Sequence, residues 1–212
     1  MKTHAQISAI IEELKKLYPD ALCSLEYQKD YELLFSVRLA AQCTDARVNL
    51  VTPALFARFP TLEAFAAATP DEVGEYVRSC GFWRAKAKDI VGSAQMLLHD
   101  FGGKVPDNMD NLLRLPGVGR KTANLVLGDI YGKEGYVCDT HCIRITGRLG
   151  ITDGSKDPLK VEQQLRKVIP SEESNNFCHR MVLHGRALCM ARGPKCEECP
   201  LKALCDYGAS RQ

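Results

Sequence analysis

The chain has 212 residues, 45% of them hydrophobic and 25% charged, with a formal net charge of +2. That balance is typical of a soluble globular protein. No run approaches the ~20 apolar residues of a membrane span, and the opening MKTHAQISAI has no signal-type apolar core, so a cytoplasmic protein is expected. The charge is too small for binding a polyanion by bulk attraction, and any such site must be a local basic patch.

In chain order, Thr3 and Gln6 form a capping box ahead of a helix with Ile7, Ile10, Ile11, Leu14 and Leu17 at helical spacing, ended by Tyr18-Pro19. A second helix is predicted from Asp30 to Ala41. QCTD breaks it, and Thr44 or Asp45 caps a third with Val48, Val51, Leu55 and Phe59, bent or restarted at Pro53. Thr61 starts a short helix at LEAFAAA, and Pro70-Asp71 starts another through Val77. SCGFWRAKAKDI turns at Gly81 into a long helix ending at Gly102-Gly103. Pro106-Asp107 opens a helix through Leu115; LPGVG interrupts it and RKTANLVLGDIY resumes. Asp139 precedes THCIRITGRLG, Asp157-Pro158 starts one more, and Asn175 or Asn176 leads into the last, through Leu188. Strand alternation and hairpin signals are missing. The fold class is all-α, with about ten short helices.

Ten cysteines need an account. Without an export signal a disulfide framework is not expected, and Cys23, Cys43, Cys80, Cys138, Cys142 and Cys178 read as core thiols. Cys189, Cys196, Cys199 and Cys205 are different: C-x6-C-x2-C-x5-C can converge on one metal centre. Zinc favours two separated CxxC pairs, and iron–sulfur clusters also take four cysteines. Spacing alone leaves the metal open.

LPGVGRKTAN, Leu115 to Asn124, is not a nucleotide P-loop, because Arg120 separates Gly119 from Lys121 and a helix precedes it. It reads either as a plain interhelical turn or as a phosphate site, with Gly117 and Gly119 bare so that backbone amides at a helix N-terminus can approach an anion. Lys121 is then either a solvated surface lysine or a nucleophile. A lysine in a first helical turn meets the positive end of the dipole. An unperturbed one spends roughly 4.6 kcal/mol to be neutral at pH 7, which that field and burial would reduce. Asp139 reads as a helix N-cap, a role compatible with holding a carboxylate beside a developing positive charge.

LPGVGRKTAN, CDTHCIRITGRLG, LAAQCTDARVN and the Cys189–Cys205 spacing together resemble the endonuclease III family of DNA glycosylases, over nearly the whole chain and in the family's order. The resemblance implies a helix–hairpin–helix DNA glycosylase fold. One six-helix lobe (residues 23–134) would contain the helix–hairpin–helix at about 107–131. The other lobe (1–22 and 135–212) would carry one [4Fe–4S] cluster on Cys189, Cys196, Cys199 and Cys205 in the loop 189–205, with DNA in the groove between. Lys121 would be the nucleophile and Asp139 the assisting carboxylate of a bifunctional glycosylase and AP lyase. That enzyme would remove oxidised pyrimidines from duplex DNA through a Schiff base and cut 3′ to the abasic site by β-elimination. Its partner would be duplex DNA with damaged bases or abasic sites, bound by a monomer associated with the nucleoid, with no membrane.

The implied DNA contacts are the hairpin (Gly117, Val118, Gly119, Arg120), Gln42 in the vacated stack and Phe82 as a wedge. Basic patches at Arg84, Lys86 and Lys88 and at Arg192 and Lys195 would add to these, with His141 either a contact or a helical packing residue. Phe82 could instead pack in the core beside Trp83. The chain departs from the commoner pattern at Cys138, Cys142 and Phe82-Trp83. It has Arg38 where adenine-mismatch glycosylases carry a catalytic glutamate, and it ends at Gln212 without their further domain. A mismatch or oxidised-purine glycosylase is the nearest alternative. A non-catalytic helix–hairpin–helix module with a structural metal is the alternative of another class.

Overall fold

The computed structural model describes residues 2–210. Met1, Arg211 and Gln212, at the outer limits of the second lobe drawn above, lie outside the described residues. Among the described residues there are twelve α-helices and no strand. Contacts divide the chain into two compact units, Cys23–Tyr131 and a discontinuous one made of Met1–Leu22 and Gly132–Gln212.

The continuous unit holds α2 (Asp30–Ala40), α3 (Asp45–Arg58), α4 (Leu62–Ala67), α5 (Pro70–Val77), α6 (Trp83–Phe101), α7 (Met109–Arg114) and α8 (Arg120–Tyr131). The long α6 is its spine, packed by α4 and α5 and touched by α2, and α8 packs on α2 and α7. Starts follow local chemistry: Thr44, Thr61 and Thr69 each accept an N-terminal amide in the side chain. α6 stops because Gly102 takes a left-handed conformation. The core is aliphatic with an aromatic cluster, Phe35 and Phe59 both packing on Phe65.

Two expectations change here: α3 does not restart at Pro53, and α7 starts later. α3 runs unbroken through Pro53, because Val48, Thr52 and Leu55 are buried on one face on both sides of it and that packing outweighs one missing rung. α7 begins at Met109, not at Pro106. Asn108 caps it by accepting the Asn111 amide at 3.0 Å, while the preceding segment is non-helical, with Val105 buried and its carbonyl accepting the Tyr131 hydroxyl.

The other unit holds α1 (His4–Leu17), α9 (Thr140–Leu149), α10 (Pro158–Val168), α11 (Ser174–Ala187) and α12 (Asp206–Ala209). The capping box at Thr3 and Gln6 is present. α1 and α9 both pack on α11, and Ile7, Ile10, Ile11, Leu14, Ile145, Leu149, Phe177 and Met181 are buried there. α11 starts at Ser174, ahead of the predicted Asn175, because the buried Ser174 hydroxyl donates to the Ser171 carbonyl at 2.6 Å and accepts the Gly135 amide at 3.1 Å. α12 has no signal in the sequence: four residues show no periodicity, and its cap is the Cys205 sulfur, accepting from the Gly208 amide at 3.3 Å.

Candidate active site and metal centre

In the hairpin between α7 and α8, Leu115 and Val118 turn inward and are buried, while Gly117 and Gly119 face solvent. Ser93 on α6 donates to the Pro116 carbonyl at 3.1 Å, fixing the loop to the spine. The two glycines differ. Gly117 has φ +70°, and a Cβ on it would sit 2.4 Å from Arg38 Nε and 2.5 Å from Asp89 Oδ2. Those two groups are themselves paired at 2.7 Å, so the fold alone explains this glycine. Gly119 lies outside the positive-φ region, and an added Cβ would have nothing within 4 Å. The fold does not require a glycine there. The amides of Gly117 and Gly119 find no acceptor among the described residues, and they stand at the positive end of the twelve-residue α8.

Lys121 follows in the first turn of α8. It is exposed, so the burial expected of a lysine nucleophile is absent and desolvation must come from what binds over it. Among the described residues nothing occupies its ammonium by hydrogen bond or ion pair.

Asp139 lies in the other unit, half-buried, and caps α9 through Oδ1, which accepts the Cys142 amide at 2.7 Å. Its Oδ2 takes no hydrogen bond from a described residue. The residue whose amide it accepts, Cys142, is fully buried, and the neighbouring Cys138 and Cys178 together with that burial hold its thiol well above the usual thiol range. All three are buried, as is Cys80, in keeping with core thiols, whereas Cys23 and Cys43 are half-buried.

Cys189, Cys196, Cys199 and Cys205 line one pocket, walled by Ile145, Leu149, Leu188 and Leu201. Among the described residues no group of three or more histidine, cysteine or acidic side chains is placed to hold a single metal ion. Two donors already point at the cysteine sulfurs: Arg148 Nη1 is 3.2 Å from Cys189 Sγ, and the Gly208 amide is 3.3 Å from Cys205 Sγ. Such donors suit thiolates, and the donor set fits an iron–sulfur cluster. Arg148 and Arg144 on α9 also hold the backbone carbonyls of Met190 and Cys189, at 2.8 and 3.0 Å. Nothing in the spacing of those arginines in the sequence singles them out. His141 is 3.1 Å from Arg144 and packs where a Cβ on Gly185 would fall, so it has a packing role in the fold. Arg192 and Lys195 are exposed on the cysteine loop.

Two turns of the continuous unit carry Gln42 and Phe82. Both have a left-handed backbone, φ 54° and 46°, and no other described non-glycine residue does. Phe82 is 71% exposed, so it does not pack in the core beside Trp83. Trp83 does the packing: its ring lies where a Cβ on Gly74 would come within 2.4 Å, and Arg84 stacks over it at 4.3 Å. Arg84 and Lys88 are exposed. Lys86 is a correction. It is 1% exposed, and its ammonium donates to the carbonyls of Leu39 at 2.8 Å and Cys80 at 2.7 Å, so it cannot join a surface basic patch. Its position in α6 turns it inward, where charge alone suggested a partner in solvent.

Residues 35–171 match the HhH-GPD superfamily base excision DNA repair protein model, and residues 189–205 match the iron–sulfur binding domain of endonuclease III. The chain belongs to the endonuclease III family. It is a base-excision repair enzyme, a DNA glycosylase and AP lyase with an iron–sulfur binding domain. Endonuclease III of Synechocystis sp. is 49% identical over 193 residues, covering 91% of this chain and 88% of that relative. That of Bacillus subtilis is 40% identical over 206 residues, covering 97% and 94%. A trapped endonuclease III–DNA covalent intermediate superposes with a TM-score of 0.93 at 42% identity, over 100% of this chain and 99% of that one. A thermostable thymine-DNA glycosylase, 20% identical with a TM-score of 0.86, shares the fold. No helix among the described residues is long and apolar enough to cross a membrane.

Proposed function

We propose that this endonuclease III family enzyme removes oxidised pyrimidines from duplex DNA with Lys121 as nucleophile and Asp139 as the assisting carboxylate. The observation that carries this reading is Gly119: a position where the fold has room for a side chain and none stands, one residue before α8 and two before an unoccupied lysine. Bare amides at a helix N-terminus take phosphate, and a phosphate held there sets what Lys121 can reach. The damaged nucleotide is rotated out of the stack. Lys121 Nζ forms a bond to C1′ as the bond from C1′ to the base breaks, and the base leaves with the electron pair. Asp139, fixed by its cap, stabilises the positive charge and helps move the amine proton. Loss of a proton from the amine and opening of the C1′–O4′ bond, O4′ taking up a proton, turn this adduct into a Schiff base, which acidifies C2′; loss of the C2′ proton then breaks the C3′–O bond and the phosphate leaves with the electron pair. The similar structure of a trapped covalent endonuclease III–DNA intermediate supports this reading.

Cys189, Cys196, Cys199 and Cys205 would hold one [4Fe–4S] cluster. The match of residues 189–205 to the iron–sulfur binding domain of endonuclease III supports a cluster over one zinc ion. The cluster shapes the loop that presents Arg192 and Lys195, and no bond-making step runs through it. Gln42 and Phe82 would fill the stack on base extrusion, and the enzyme would act as a monomer, in the cytoplasm with the nucleoid. The test is borohydride trapping on lesion and abasic duplexes. Lys121→Ala should lose both the trapped adduct and strand cleavage while largely keeping duplex binding; undiminished trapping would overturn the assignment.

A further inference from the structure

The buried Lys86 has a task that no surface patch would give it. We infer that Lys86 is a positioning residue, whose ammonium ties the Gln42 turn to the Phe82 turn and sets their separation. Three observations carry this. First, its two acceptors are the Leu39 carbonyl, near the end of α2, and the Cys80 carbonyl, just before Gly81. The neighbouring α2 carbonyls are used locally, Arg38 by the Ala41 amide and Ala40 by the Cys43 amide. Leu39 therefore depends on the lysine, and a cation at a helix C-terminus is favoured by the dipole.

Second, each acceptor lies two or three residues from an apex, and the apices, Gln42 and Phe82, are the only described non-glycine residues with positive φ. Such backbone persists only where its surroundings hold it. Third, the same two turns stand close at their side chains, since Cys43 adds to the burial that raises the Cys80 thiol to about 11. The Lys86 amide also closes on the Phe82 carbonyl at 3.2 Å, so backbone and side chain of one residue grip one turn. A charge-assisted donor between two carbonyls fixes distance more firmly than apolar packing does. Two side chains entering one stack from separate turns need that fixed distance.

This inference rests on the reading that Gln42 and Phe82 enter the DNA. The test compares Lys86→Met, of similar length without donors, Lys86→Arg, which keeps donors, and Phe82→Ala and Gln42→Ala, all as holoenzyme. Single-turnover base excision from duplex and lyase action on a preformed abasic site are measured at a temperature where melting curves show each variant folded. Amide hydrogen exchange is followed at residues 41–43 and 80–83. Lys86→Met should slow base excision about 10- to 100-fold more than lyase action and speed exchange in both turns, with partial recovery in Lys86→Arg. Normal exchange in both turns, or equal loss of the two activities, would overturn the role of Lys86. A selective defect in Phe82→Ala and Gln42→Ala with a normal Lys86→Met would overturn it alone. A defective Lys86→Met with no selective defect in either apex variant would overturn the underlying reading.

Discussion

Phe82 shows what a single residue can be held to do. A phenylalanine at φ 46° with 71% of its surface exposed is poor in both backbone and hydration terms. Left-handed non-glycine backbone costs of order 1–3 kcal/mol, and strain of this kind is kept where it serves a purpose. Phe82→Gly should therefore match or raise the melting temperature. It should also slow base excision from duplex by about tenfold or more, since aromatic stacking on a base is worth about 1–3 kcal/mol, and slow lyase action on a preformed abasic site far less. A lower melting temperature with equal loss of both activities would return the ring to a structural role. The sequence raised two readings for this residue, and exposure separates them. It could not separate Lys86 from its neighbours, because Arg84, Lys86 and Lys88 are alike in charge and only the helical phase relative to α2 turns one of them inward.

At the scale of elements, the hairpin joining α7 and α8 divides its two glycines between fold and ligand. Gly117 would clash with the Arg38–Asp89 pair on gaining a side chain, so its replacement confounds binding with stability. Gly119→Val is the clean probe. It should leave the unfolding free energy within about 1 kcal/mol of the parent, as for a surface site, and weaken binding to damaged and undamaged duplex alike, because phosphate contacts carry no sequence information. Altered lesion preference with intact non-specific binding would refute the phosphate grip.

Most helices were legible because their starts are local: a threonine, asparagine or aspartate cap leaves a trace in adjacent residues, as at Thr44, Thr61 and Asp139. What was not legible depends on partners far along the chain. α7 is shortened by a carbonyl committed to Tyr131, and α3 is kept whole across Pro53 by packing. The spacing of the cysteines was plain, and the arginines that meet them from α9 were not, since they lie more than forty residues away.

For the whole molecule, charge and metal content are linked. The chain carries +2, and the proposed [4Fe–4S] core with four thiolates would add about −2, so the loaded protein would be near neutral and would rely on placed cations such as Arg192 and Lys195. Cys199→Ser, analysed after anaerobic purification, should lose most of the iron, from about four atoms per chain, and weaken DNA binding by disordering that loop. Stoichiometric zinc in the parent protein would refute the cluster assignment.

The discontinuous unit also has a consequence for biogenesis. α1 is made before α11, on which its apolar face packs, and the whole of Cys23–Tyr131 is made in between. At roughly 5–20 residues per second, the roughly 160 residues from Leu17 to Phe177 take on the order of 8–30 s. During that interval Ile7, Ile10, Ile11 and Leu14 lack the α11 surface, while the continuous unit has every helix it needs once Tyr131 is made. The nascent chain should become protease-resistant from its middle outward, and iron can be inserted only after the last thiols, at residues 189–205, have left the exit tunnel. Chaperone demand should therefore concentrate on the amino-terminal helix.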